Sequence, residues 1–107
     1  MFDIGQYIQE IEDEKKNNSH KESYIDQTII TPRNLPKNIL GILNMLCDYD
    51  RIGAWWLYFD RLDDLQVNAK NAMAAGLMSK NDWNVIVDKY WKNADLVYNK
   101  EIKNELL

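Results

Sequence analysis

A helix stop followed at once by a helix start, at residues 76–83, constrains this chain more than any other feature. Gly76 suits the left-handed backbone in which many helices end, because it has no Cβ to clash. Ser79 and Asp82 then stand at the N-cap and N3 positions of a capping box, with Asp where Glu or Gln is usual. Met78 and Trp83 occupy the N′ and N4 positions, where a hydrophobic staple would place them. Before this signal, Ile52, Trp55, Phe59, Leu62, Gln66, Ala69 and Met73 recur at steps of three and four, a heptad-like seam interrupted at Gln66. After it, Trp83, Ile86, Val87, Tyr90, Ala94 and Val97 form a second amphipathic face. Two long helices joined by a few residues lie antiparallel. Residues 51–99 are therefore predicted to form a helical hairpin, its first helix running from about Arg51 to Ala75.

Upstream the signals are shorter. Asn34 can cap a helix that has Pro36 in its first turn and continues through Leu35, Ile39, Leu40, Ile42, Leu43, Leu46 and Cys47. It should weaken at Asp48-Tyr49-Asp50, where either Asp can cap the next helix. Within 19–33, Ser19 and Glu22 have capping-box spacing, yet four β-branched residues (Thr28, Ile29, Ile30, Thr31) precede Pro32. An irregular or extended connector is expected there. Phe2, Ile4, Tyr7, Ile8 and Ile11 form the stripe of a short first helix with Asp3 as its cap. The fold expected is all-α, a small bundle of three or four helices built on the hairpin. At 107 residues the chain has room for one helical domain, 1–107, in which 1–33 is partly irregular.

Charge and residue counts narrow the function. The net charge of −4 disfavours a nonspecific nucleic-acid or anionic-membrane binder, since both need a basic face. A single Cys and a single His can make neither an internal disulfide nor a Cys/His zinc site. The opening residues lack the basic and apolar regions of a signal peptide, and no apolar run reaches bilayer length, so a soluble cytoplasmic protein is expected. His20 lies in a polar stretch that promises no orienting partner for a general base. Cys47, on an apolar stripe with no basic neighbour at helical spacing, reads as a core residue. No cofactor is expected.

Two clusters remain. Asp60, Asp63 and Asp64 share a helix face, the spacing by which all-α nucleotide phosphohydrolases hold magnesium. Such sites need a second acidic pair on a neighbouring helix, and Asp82, Asp88 and Asp95 are spaced too widely to supply one. Together with Asp48 and Asp50, the same carboxylates could imitate phosphates and occupy a basic groove, as an inhibitor from a phage or mobile element would. Direct DNA binding is disfavoured because the lysines of the last helix alternate with acids.

The second cluster is aromatic. Trp55, Trp56, Leu57, Tyr58 and Phe59 are consecutive, and at about 100° per residue they point in every direction around a helix. The seam accounts for Trp55 and Phe59, which leaves Trp56 and Tyr58 to face another element or another chain. Trp91 and Tyr98 widen the apolar face of the last helix. The function expected is non-catalytic: an adaptor, regulator or inhibitor that binds another protein or itself. Its candidate contact residues are Trp56, Tyr58, Trp91 and Tyr98, with Asp60, Asp63 and Asp64 beside them.

Overall fold

The computed structural model describes residues 22–102. The predicted first helix, Phe2 to Ile11, and His20 lie outside them. The described residues form three helices and no strand, as the all-α expectation requires: α1 (Lys37–Ile52), α2 (Trp55–Ala74) and α3, residues 80–102. In α3 two α-helical stretches (Lys80–Ile86, Asn93–Val97) alternate with two π-helical ones (Val87–Lys92, Tyr98–Ile102).

Both helix junctions before α3 use glycine in the left-handed region. At the end of α1, Gly53 (φ 74°) donates to the Asp50 carbonyl at 3.2 Å and Ala54 to the Tyr49 carbonyl at 2.9 Å. These are the paired bonds of a Schellman motif, which satisfy carbonyls that the helix leaves open. Gly76 (φ 73°) and Leu77 repeat the arrangement on the carbonyls of Met73 and Ala72, at 3.1 and 2.8 Å. The first junction corrects the sequence reading. α1 does not weaken at Asp48-Tyr49-Asp50 but runs on to Ile52, so Arg51 and Ile52 belong to it and α2 begins at Trp55. Nor does Asn34 cap α1. It takes a left-handed conformation (φ 61°), which Asn tolerates better than most residues, and Pro36 stands at the N-cap without a side-chain hydrogen bond. Ser79 does cap α3, accepting from the Asp82 amide at 3.0 Å.

One apolar core joins the helices and the connector before them. It takes Ile39, Leu43 and Leu46 from α1, Tyr58, Leu62, Leu65, Ala69 and Ala72 from α2, and Ile86, Tyr90, Ala94 and Val97 from α3. The buried line of α2 keeps Leu62 and Ala69 of the predicted seam but takes Tyr58, Leu65 and Ala72 in place of Phe59, Gln66 and Met73. Trp55, Phe59 and Met73 are half-buried at its side and Gln66 is exposed, because α2 packs against two neighbours and buries the strip between them. Asn38, near the start of α1, bonds Asn68, near the end of α2, at 2.9 Å, and only Gly53 and Ala54 join the two helices, so α1 and α2 run in opposite senses. The Trp55 and Tyr98 rings lie 5.5 Å apart and the Tyr58 hydroxyl reaches the Tyr90 carbonyl, so the start of α2 meets the later turns of α3.

Residues 22–36 form the irregular connector that their β-branched run suggests, and they are tied down at several points. Asp50 accepts from the Ser23 hydroxyl at 2.6 Å and from the Tyr24 amide at 2.7 Å. Asn93 donates to the carbonyls of Ser23 and Tyr24, each at 3.1 Å. The buried Lys89 donates to the Ile29 carbonyl, and Thr31 pairs with the Tyr90 hydroxyl at 3.0 Å. These bonds give a physical account of the first π-helical stretch. The Asp26 amide takes the Lys89 carbonyl at 2.9 Å and the Tyr58 hydroxyl takes that of Tyr90 at 2.5 Å. A widened turn frees carbonyls from the helix's own ladder, and here two outside donors claim them.

Candidate functional site

The aromatic run at the start of α2 divides into a core half and a surface half. Tyr58 is 0% exposed, with its ring 5.1 Å from that of Tyr24 and its hydroxyl bound to the Tyr90 carbonyl. Burial pushes that hydroxyl's pKa far above its ordinary value. Tyr58 is therefore a core residue, and the expectation that it meets a partner is corrected. The connector, invisible to helix periodicity, is the element that covers it. Trp56 is 40% exposed, its ring edge-on to that of Trp55.

Beside Trp55 and Phe59 a groove opens toward the end of α3. The Trp55 ring meets Tyr98 at 5.5 Å and Trp56 edge-on at 5.8 Å, and Phe59 meets Tyr98 at 5.2 Å. Tilted and edge-on rings satisfy one another's quadrupoles. They leave a cavity of about 350 Å³ lined by Trp55, Phe59, Asp95, Tyr98 and Asn99. Partial loss of water raises the pKa of the Asp95 carboxyl above its ordinary 3.8. Among the described residues no hydrogen-bond donor or cation pairs with it.

The other sequence candidates scatter. Trp91 is half-buried against the core, while Tyr98 forms a wall of the groove. Asp60, Asp63 and Asp64 are exposed, and Asp64 is held by Arg61 at 2.7 Å. Among the described residues no three His, Cys, Asp or Glu side chains converge on a metal position, so these three make no metal centre by themselves. Asp50 leaves the supposed phosphate-mimicking face because its carboxylate anchors Ser23 and Tyr24. Cys47 is exposed rather than core, since the buried line of α1 passes through Leu43 and Leu46. Desolvation first, and then the carboxylates of Asp50 and Asp48, raise its thiol pKa, which disfavours a nucleophilic thiolate.

Sequence reasoning placed Trp55 and Phe59 in the seam and gave Asp95 and Asn99 no site role. Their signal was available in the register. Trp55 and Tyr98 are almost equally far from the turn at Gly76, so an antiparallel pairing sets them opposite each other. Among the described residues no helix is long and apolar enough to cross a membrane. No protein-family model, curated protein or solved structure matches the chain significantly.

Proposed function

We propose that this chain is a non-catalytic interaction protein, a small cytoplasmic adaptor, regulator or inhibitor, that docks another protein on the aromatic face shared by α2 and α3. In this reading it is a three-helix bundle whose hairpin of α2 and α3 presents the contact surface. The observation that carries the reading is Trp56, 40% exposed and continuous with the half-buried Trp55 that forms the groove wall. Large rings at the mouth of a cavity are the side chains that most often dominate binding energy, since they bury much area at small entropic cost.

The test is Trp56→Ala, alone and with Tyr98→Ala, compared with the native chain for helicity and for association. Association is read by light scattering for a second copy and by stoichiometric capture for another protein. The expected result is unchanged helicity with association lost. An unfolded Trp56→Ala chain, or one that associates as the native chain does, contradicts the proposal. A phosphate-mimicking inhibitor is the second reading, favoured by the exposed Asp60 and Asp63. It predicts binding that collapses with added salt, whereas aromatic docking changes little.

A further inference from the structure

Resting on that reading, we infer that the groove between α2 and α3 is built to receive an arginine side chain of the partner protein. Three observations select that chemistry. The walls are the rings of Trp55, Phe59 and Tyr98, and a flat, weakly hydrated guanidinium is attracted to aromatic faces. The lining also holds the carboxylate of Asp95, exposed and unpaired among the described residues. Two parallel N–H donors from one guanidinium satisfy a carboxylate of this kind. The lysines nearest in sequence on α3 are engaged elsewhere, Lys92 with Asp88 at 3.0 Å and Lys100 with Glu22 at 2.5 Å.

The surroundings point the same way. Asp60 and Asp63 follow Trp56 and Phe59 by four residues, so each stands beside one of those rings on the exposed side of α2. A phosphate or an acidic peptide would be repelled by the Asp95 carboxylate in the groove itself. A neutral aromatic or aliphatic side chain would cover Asp95 without replacing the water it loses, which is costly. A volume of about 350 Å³ is at the small end of the roughly 300–1,000 Å³ of ligand pockets, which suits one side chain rather than a whole ligand or helix.

The test is a titration of the full chain with the capped peptide acetyl-Gly-Arg-Gly-amide, followed by NMR signals of the tryptophan indoles and the Asp95 amide. Parallel titrations use peptides with citrulline or lysine in place of arginine. The expected result is saturable binding of the arginine peptide, at least tenfold weaker with citrulline, which has the same shape and no charge, and several-fold weaker with lysine. Asp95→Asn should weaken arginine binding at least tenfold, whereas Asp48→Asn, the same charge change on α1, leaves it within twofold. Absence of saturable binding, equal binding of citrulline, or indifference to Asp95→Asn overturns the inference. The two readings fail separately. A partner retained by Asp95→Asn but lost by Trp56→Ala sinks the arginine site and leaves the docking face standing. Arginine binding in a chain that keeps its partner after Trp56→Ala does the reverse.

Discussion

α2 meets α1 along one flank and α3 along the other, and the two flanks close differently. Toward α1 the Asn38–Asn68 hydrogen bond bridges the helices, beside a buried line of Leu62, Leu65, Ala69 and Ala72. Toward α3, near the end remote from the turn, the helices meet through the rings of Trp55, Phe59 and Tyr98, and a groove remains open. The aliphatic and small side chains of the first flank are buried, whereas the rings of the second stay partly exposed around the groove. One flank is closed, and the other leaves aromatic surface exposed beside the groove.

The comparison breaks most visibly in the core. Leu65→Ala should cost about 2–5 kcal/mol in denaturant unfolding, the range for deleting a buried leucine. Phe59→Ala, half-buried on the groove flank, should cost less in the same measurement. An equal or larger loss would make the groove flank core and remove the distinction. Tyr58→Phe keeps the ring but removes the donor to the Tyr90 carbonyl. A buried carbonyl left open costs about 1–3 kcal/mol, and hydrogen exchange around residues 87–92 should accelerate as that segment loosens. A variant as stable as the native chain would show that the π-helical turn does not depend on this bond. Smaller again is Gly53→Ala, which forces a Cβ into the left-handed region at about 1–2 kcal/mol. Thermal unfolding should show a lower Tm, and no change would mean that the junction is not held in the conformation described.

How much of this was legible in the sequence differs between the same two flanks. Gly76 and Ser79 were readable because stop and start signals sit side by side and each acts locally. Gly53 makes the same motif with the same bonds, yet Asp48 and Asp50 before it looked like caps and drew the break upstream. Asp50 in fact serves the connector, residues distant in sequence, which no local rule reports. The face of α3 through Ile86, Tyr90, Ala94 and Val97 followed from its period. Its π-helical turns did not, since their cause is donors arriving from Tyr58 and Asp26. For the site, Trp56 and Tyr98 were visible as surplus aromatics. Tyr58 was misplaced because the connector that covers it has no periodicity to announce it. Asp95 and Asn99 become part of a site only once α3 is set in register against α2.

Met45 on α1 and Trp56 on α2 offer a matched pair for the central claim, being 42% and 40% exposed. The most direct measurement places a photo-crosslinking residue at position 56 in one chain and at position 45 in another, in extract of the source cell. The account predicts a stoichiometric crosslink, to one partner protein or to a second copy, from position 56 and none from position 45. Crosslinks from position 45 alone, or from neither position, would contradict a docking role for the α2–α3 face.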